Sequence, residues 1–173
     1  MTLYVGNSND IILQSVRLNS DQSVKITGGS FLGSLCEYTG ADISGVSSHA
    51  TTPTISMSSN LNISNGDEIL INRVLGANSA NGFFTVANNQ PDPVNQFTIL
   101  ADTSSEAYIS GGKVWKVLTK EFNFLYYSSR DHYKYVIPAS VNLVPEREYL
   151  LFIEERNLGV EIEYKEKALV RIN

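Results

Sequence analysis

The sequence predicts an all-β protein in which one β unit interrupts another. No stretch of its 173 residues repeats apolar side chains with the 3.6-residue period of a helix. Short apolar alternations instead end at turn dipeptides such as Asn65-Gly66, Asn81-Gly82 and Gly111-Gly112. Short strands separated by turn signals between 51 and 117 are typical of a small antiparallel β unit.

The residues on either side of this stretch read as strands of one other domain. Before the insert we predict strands at 10–18, 21–26 and 30–38, followed by a loop at 40–48. After it, we predict one strand or two in 114–127, divided at Thr119-Lys120, and further strands at 132–137, 147–156, 160–164 and 168–172. About seven strands remain once the insert is removed, a number that suits an immunoglobulin-like sandwich.

The order of short motifs inside the insert resembles a known module. The pieces are N-G-D-E-I-L-I at 65–71, N-G-F-F-T-V at 81–86, Q-F-T-I at 96–99 and A-Y-I-S-G-G-K-V at 107–114. This order is similar to the small β-barrel called the first catalytic cysteine half-domain of ubiquitin-activating enzymes, which also recurs in structural proteins of tailed bacteriophages. The resemblance implies a barrel at 50–115 and implies no ubiquitin chemistry, because fold analogy does not carry function.

The second half of the predicted sandwich also resembles a phage family. Residues 133–153 follow the pattern Y-x-Y-x-I-P-x-x-V-x-L-x-P-x-x-x-Y-x-L-x-I. This is similar to the immunoglobulin-like domains of phage baseplate, neck and tail-associated proteins. The resemblance implies a discontinuous sandwich formed by 1–48 and 116–173, with Tyr149 as a corner tyrosine whose hydroxyl bonds to backbone upstream.

Charge and composition narrow the classes of partner. The chain has 18 acidic and 13 basic residues, a net charge of −5, which argues against DNA or RNA as the main partner. No segment approaches the roughly 20 apolar residues of a membrane helix, so we expect no membrane partner. Residues 1–7 have neither the basic region nor the apolar run of a secretion signal, which predicts synthesis in the host cytoplasm.

Residues with reactive side chains do not group into a recognisable site. His49 and His132 have no ligand at metal-binding spacing, and Cys36 lies in an apolar strand where a buried, inert thiol is expected. Glu161 and Glu163 share one face of a predicted strand, as a pair of catalytic carboxylates would. The lysines that follow them indicate a solvated, charge-mixed face instead. We therefore predict no enzyme activity, no catalytic residue, no metal site and no cofactor.

Five aromatic residues are the candidate interface. Trp115, Tyr126, Tyr127, Tyr133 and Tyr135 are too closely spaced for all of them to face one core. Tyr and Trp are enriched in protein interfaces, and the same rings could instead form a platform that stacks on sugars. We favour a protein interface.

The two resemblances together predict a structural protein of a tailed-phage virion. Its partners would be other virion proteins in a symmetric, multi-copy assembly at the neck, tail or baseplate. The alternatives are a decoration (cement) protein on the capsid and a carbohydrate-binding module for glycans on the host surface. An enzyme that uses Glu161 and Glu163 on a polysaccharide ranks last.

Overall fold

The protein is all-β in the part of the chain that the structure describes. The computed structural model describes residues 2–5, 10–14, 30–47, 49–90, 95–141, 143–144, 147–155 and 164–169. The strands are β1 (Thr2–Val5), β2 (Asp10–Gln14), β3 (Phe31–Glu37), β4 (Ala41–Val46), β5 (Thr54–Met57), β6 (Glu68–Leu75), β7 (Gly82–Thr85), β8 (Asn88–Gln90), β9 (Gln96–Thr98), β10 (Ser110–Asn123), β11 (Leu125–Tyr127), β12 (His132–Val136), β13 (Glu148–Glu155) and β14 (Tyr164–Leu169). One 3-10 helix, Asn78–Ala80, is the only helix among these residues, and none there is long and apolar enough to cross a membrane.

The chain divides into two compact units. The inserted unit is Glu37–Val117, and the terminal unit combines Met1–Cys36 with Leu118–Asn173. The long strand β10 contributes residues up to 117 to the inserted unit and its remaining residues to the terminal unit. The predicted insert at 50–115 lies within the inserted unit.

The terminal unit is sandwich-like. One of its sheets has the order β1-β2-β12-β11, and the other has the order β14-β13-β3-β10. Tyr133 on β12 meets Phe31 on β3 edge to face, with ring centroids 4.6 Å apart, so side chains of both sheets share one core. The buried core residues are Ile11, Phe31, Leu35, Phe122, Phe124, Tyr133, Ile137, Leu143, Tyr149, Leu151 and Ile153.

The inserted unit is a curled antiparallel sheet around a second core. Its strand order is β7-β6-β10-β4-β5-β9-β8. The two end strands, β7 and β8, are consecutive in the chain, and the residues between them bond to both ends of the sheet. Val86 donates its N–H to the carbonyl of Asp67 (2.9 Å), and Ala87 donates to Thr98 (2.9 Å). One bent segment therefore joins the two ends of the curled sheet.

Two local predictions within the inserted unit are wrong. Residues 41–46 form β4 rather than a loop, because Ala41, Ile43 and Val46 face the core while Asp42 and Ser44 face out. Gly45 lies where the pairing register with β5 shifts, and this irregularity interrupts a simple alternation in the sequence.

The dipeptide Gly111-Gly112 lies inside β10 rather than in a turn. Both residues have positive φ, and a Cβ at Gly112 would come within 2.7 Å of Val74 and 3.0 Å of Ile43. Close approach of β10 to its neighbours therefore requires glycine at this position.

The remaining strand predictions divide into those confirmed and those outside the described residues. The strands predicted at 30–38, 132–137 and 147–156 are confirmed as β3, β12 and β13. The long stretch 114–127 divides at Phe124 rather than at Thr119-Lys120. The strand predicted at 10–18 is confirmed as β2 over its described residues 10–14. The strands predicted at 160–164 and 168–172 overlap β14, which is one strand from 164 to 169. The prediction at 21–26, and the remaining residues of these three strands, lie outside the described residues.

Candidate protein interface

The five predicted interface residues do not form one surface. Trp115 belongs to the inserted unit and is buried, whereas the four tyrosines lie on β11 and β12 of the terminal unit. Residues opposite each other on neighbouring strands share a face, and Tyr126 pairs with Tyr133 while Tyr127 pairs with His132. Successive residues of a strand alternate between faces, so Tyr126 and Tyr127 point in opposite directions.

Strands β11 and β12 form a hairpin. The inner face of this hairpin is part of the core of the terminal unit. The Tyr133 ring is buried and lies 5.0 Å from the Tyr126 ring, and the Tyr135 ring stacks on Phe122 at 3.9 Å. Tyr126 and Tyr135 are half-buried and pack against the same cluster. Aromatic pairs at these distances stabilise a core beyond their burial, so these three tyrosines act first as packing residues.

The outer face of the hairpin is where apolar side chains meet solvent. Leu125 is 63% exposed and Val136 is 51% exposed, and Tyr127 is also exposed. Lys134 pairs with Leu125 on one side and with Ile12 on the other, which places these residues on one surface. We call the outer face the surface formed by Ile12, Leu125, Tyr127, His132, Lys134 and Val136.

Hydrogen bonds and stacking hold the outer face in shape. The Tyr126 hydroxyl donates to Asp131 Oδ1 (3.0 Å) across the turn, and the N–H of Arg130 donates to the Tyr127 carbonyl (3.2 Å). The Tyr127 ring lies nearly parallel to His132, with centroids 5.6 Å apart, and His132 is buried beneath it. The surface is therefore carried by a fixed hairpin rather than by a loop.

Charges of both signs lie on or beside the outer face, since Asp131 is in the turn and Asp10 pairs with Val136. Arg130 is exposed at the turn, and Lys134 is half-exposed in the middle of the face. Asp131 accepts the Tyr126 hydroxyl, and this hydrogen bond raises the pKa of Tyr126, with desolvation and the Asp131 charge adding to the shift. An apolar surface with polar and charged residues at its border is typical of a protein interface.

The other candidate residues have structural surroundings. His49 is exposed, and its Nδ1 lies 3.0 Å from the Ser104 carbonyl. Burial raises the pKa of the Cys36 thiol to about 12, which keeps it protonated and a poor nucleophile at neutral pH. No group of three metal-binding side chains occurs among the residues that the structure describes. Glu161 and Glu163 lie outside those residues.

Carboxylates of the inserted unit are engaged in local contacts. Asp67 Oδ2 lies 2.6 Å from Lys116 Nζ and accepts the N–H of Ser64 at 2.8 Å. Glu106 accepts hydrogen bonds from the N–H and hydroxyl of Ser79, at 2.9 and 3.0 Å. These contacts fix the turns that connect the strands.

The alternation of side chains along β11 and β12 could have identified the outer face from the sequence, whereas residue type alone could not. In the strand His132–Val136, the core residues Tyr133 and Tyr135 have one parity, which assigns the other parity to solvent. Val136 has the solvent-facing parity, and Leu125 has the parity of Tyr127. The aliphatic residues at solvent-facing positions indicated this surface, whereas the tyrosines did not.

Comparison with protein-family models and with curated proteins identifies no relative of this chain. No protein-family model matches the chain, and no curated protein matches it. The candidate function therefore rests on the residues and the geometry of the two units.

Proposed function

We propose that this protein is a non-enzymatic structural component of a tailed-phage virion, which docks on other virion proteins through the outer face. The observation that carries the proposal is the cluster of exposed Leu125, Tyr127 and Val136 on a fixed hairpin. Single exposed apolar residues are ordinary, but a contiguous group on a rigid sheet is typical of a protein-binding surface.

Strand order supports an immunoglobulin-like fold for the terminal unit. In such sandwiches one sheet has strands A, B, E and D, and the other has G, F and C with a further strand beside C. The orders β1-β2-β12-β11 and β14-β13-β3-β10 match this arrangement when the strands are assigned in chain order. The inserted unit then occupies the connection between the third strand and its neighbour.

A corner tyrosine supports the same proposal. Tyr149 lies near the start of β13, which is strand F of the sandwich in this assignment. Its hydroxyl accepts the N–H of Val144 at 2.7 Å, five residues upstream. This is the hydrogen bond that the resemblance to phage immunoglobulin-like domains implies for Tyr149.

The curled sheet supports a small barrel for the inserted unit. Its end strands, β7 and β8, are consecutive in the chain and are joined by the bent segment at Val86 and Ala87, so the sheet curls back on itself. A curled antiparallel sheet around one core is the arrangement from which a small barrel is built.

The neck, tail or baseplate is the proposed location, as the sandwich resemblance implies. Attachment to the capsid as a decoration protein would use the same outer face and remains the second candidate. A carbohydrate-binding function through the aromatic residues has less support, because Trp115 and Tyr133 are buried. Nucleic acid is not a proposed partner, because the chain carries a net charge of −5.

The proposal is tested on particles purified from a lysate of the source phage. We expect the protein in stoichiometric amounts in the particles, bound at one location by labelled antibody, and lost when Leu125→Glu is introduced. Val144→Ser, an exposed aliphatic residue outside the outer face, is the matched control and should be incorporated normally. Expression in infected cells without incorporation into particles would reject the virion role. Retention on a glycan column in that case would favour the carbohydrate-binding alternative.

A further inference from the structure

The inserted unit contains two Asn-Gly dipeptides, and the structure places them in different settings. The first, Asn65-Gly66, forms the centre of a turn in which Asp67 donates its N–H to the Ser64 carbonyl at 3.0 Å. The second, Asn81-Gly82, follows the 3-10 helix and leads into β7. An asparagine side chain reacts most readily with the main chain when glycine follows it, because glycine has no Cβ to block the approach.

The reaction that such a dipeptide undergoes is deamidation. The amide nitrogen of the glycine loses its proton to water or hydroxide and attacks the side-chain carbonyl carbon, Cγ, of the asparagine. A carbon–nitrogen bond forms to give a succinimide, and the bond from Cγ to Nδ2 breaks with loss of ammonia. Water then opens the ring at either carbonyl, which leaves aspartate or isoaspartate and adds one negative charge. Solvent water is the co-reactant, and no electron is transferred.

Hydrogen bonds hold both polar atoms of the Asn81 side chain. Its Oδ1 accepts the N–H of Val74 at 2.8 Å, and its Nδ2 donates to the carbonyls of Val74 (3.0 Å) and Asn78 (3.1 Å). The residue is half-buried, and Gly82 pairs with Ile71 in the sheet. Ring closure would require the side chain to leave these bonds, so the folded structure protects Asn81.

The turn that contains Asn65 lies at the surface, and both Asn65 and Gly66 are exposed. Gly66 has a φ of 85°, as the third residue of a type II turn has, and a Cβ built there would meet nothing within 4 Å. The Gly66 N–H is donated to the Val86 carbonyl at 2.9 Å, so attack requires this bond to open. Local opening of an exposed turn takes less free energy than release of a half-buried side chain with three hydrogen bonds.

We propose that Asn65 is a site of spontaneous deamidation in the folded protein, whereas the fold protects Asn81. The modification needs only solvent, so its extent depends on the age of the protein rather than on a partner. It adds one negative charge to a chain whose net charge is −5. The rate at Asn65 is set by how often the Gly66 N–H leaves the Val86 carbonyl, so the reaction also reports local opening of this turn.

The isoaspartate product disturbs the segment that joins the two ends of the curled sheet. Val86 accepts the N–H of Gly66 and donates its own N–H to the Asp67 carbonyl, both at 2.9 Å. The turn therefore holds Val86 through two successive residues. Isoaspartate carries the chain through its side-chain carbon and so adds a methylene to the backbone before Gly66. This addition shifts Gly66 relative to Asp67, and the two bonds to Val86 no longer fit together.

Incubation of the purified protein under native, mildly alkaline conditions tests the proposal. Anion exchange separates the more acidic form, and peptide mapping by mass spectrometry locates the modified residue. Modification at Asn65 should be at least about tenfold faster than at Asn81, because three side-chain hydrogen bonds protect the second site. In denaturant both sites should react at similar rates, because each asparagine is then followed by an unstructured glycine.

Two serine variants identify the site. Asn65→Ser should abolish the acidic form, because it removes the side-chain amide that is attacked. Asn88→Ser is the matched control, because Asn88 is exposed in the same unit and is followed by asparagine rather than glycine. It should form the acidic product at the unmodified rate, and thermal unfolding establishes that both variants are folded. In the purified isoaspartate form, hydrogen exchange at the Val86 and Gly66 amides should be faster than before modification.

Three outcomes would overturn the proposal. The first is a folded protein in which Asn65 stays intact while the same residue deamidates in denaturant. The second is modification of Asn81 as fast as that of Asn65 under native conditions. The third is an acidic form that persists in Asn65→Ser, which would place the reaction at another residue. Unchanged exchange at Val86 in the isoaspartate form would reject the effect on the curled sheet.

Discussion

The two units of this protein have cores of different chemistry. Among the described residues, the core of the inserted unit is mainly aliphatic, with Phe97 as its one fully buried ring and Phe84 and Tyr108 packed against it. The core of the terminal unit has five buried aromatic residues, with Tyr126 and Tyr135 packed against it. A curled sheet encloses a narrow space that branched aliphatic side chains fill, whereas two facing sheets leave a layer deep enough for rings.

The two cores therefore depend on different properties of their side chains. Aliphatic side chains fill space without directional preference, so the shape of the inserted unit depends on volume. The rings of the terminal unit meet in defined geometries, such as the stacked pair Phe122–Tyr135 and the edge-to-face pair Phe31–Tyr133. We therefore expect substitutions that preserve volume to be tolerated in the inserted unit and not in the terminal unit.

The largest expected effect comes from truncating the central ring of each core. Phe97→Ala and Tyr133→Ala should each lower the free energy of unfolding by about 3–5 kcal/mol, because both rings are almost fully buried. Chemical denaturation of the purified variants measures this change. The comparison of cores depends on the leucine variants at the same positions.

Leucine should rescue one core and not the other. Phe97→Leu places an aliphatic side chain among aliphatic neighbours and should recover most of the loss. Tyr133→Leu loses the ring contacts to Phe31 and Tyr126 and should remain at least about 2 kcal/mol below the unmodified protein. Equal rescue at both positions would show that ring geometry contributes nothing beyond volume.

A glycine in each unit gives the next largest difference. A Cβ at Gly33 on β3 would overlap the Phe122 ring and lie 2.7 Å from the Phe124 ring. Gly33→Ala should therefore cost about 1–3 kcal/mol of stability through overpacking, measured by denaturant midpoint. Gly45→Ala on β4 is the control, because its Cβ would meet nothing closer than Ser56 at 3.8 Å. A Gly45→Ala variant as unstable as Gly33→Ala would show that loss of glycine itself, and not ring crowding, determines the cost.

Two tyrosine hydroxyls allow a finer comparison of the units. Tyr149 accepts the N–H of Val144 at 2.7 Å in the terminal unit. Tyr108 donates toward the carbonyls of Ile43 (3.1 Å) and Gly111 (3.0 Å) in the inserted unit. Tyr149→Phe should cost about 1–2 kcal/mol and Tyr108→Phe about 0.5–1 kcal/mol, because an unpaired N–H is less well tolerated than a carbonyl with a lost partner.

Calorimetry of the two phenylalanine variants measures both costs, and hydrogen exchange at the Val144 amide locates the first. We expect faster exchange at Val144 in Tyr149→Phe and no change there in Tyr108→Phe. A Tyr149→Phe variant with unmodified stability would remove the support that the corner tyrosine gives to an immunoglobulin-like terminal unit.

The sequence was sufficient for strands whose pattern was uninterrupted. The run of apolar residues at 31–36 and the alternation at 132–136 predicted β3 and β12, because burial on one or both faces imposes these patterns. The sequence did not predict β4, and it did not place Gly111-Gly112 inside a strand. There the pairing irregularity at Gly45 and the close approach at Gly112 are properties of neighbouring strands, which short-range patterns do not contain.

The exposed apolar surface overlaps the predicted interface residues only in part. The hairpin that contains Tyr126 and Tyr127 carries the exposed surface, so the predicted region and the observed surface overlap. Residue preference favoured Tyr133 over Val136 as an interface residue, because tyrosine is enriched in interfaces. Which parity of a strand faces the core depends on the facing sheet, and the parity of β12 buries Tyr133 and exposes Val136.

The smallest predicted effect concerns the ionisation of the outer-face hairpin. The hydrogen bond from the Tyr126 hydroxyl to Asp131 raises the pKa of Tyr126 above its ordinary value of 10.0, because the ionised phenolate would lose the bond and face a carboxylate. A raised pKa means that the folded state favours the protonated phenol. The stabilisation is therefore fully present below pH 10 and is lost as the pH rises through the folded-state pKa.

Ultraviolet titration of the phenolate absorbance measures this shift in the folded protein. Asp131→Asn removes the charge and the strongest acceptor, so the titration of Tyr126 should move toward lower pH, while stability at pH 7 changes little. A Tyr126→Phe variant identifies which step of the titration belongs to this residue. If Asp131→Asn left that step where it was, the bond across the turn would not control the hairpin, and rigidity of the outer face would have to come from its backbone hydrogen bonds and the Tyr127–His132 stack.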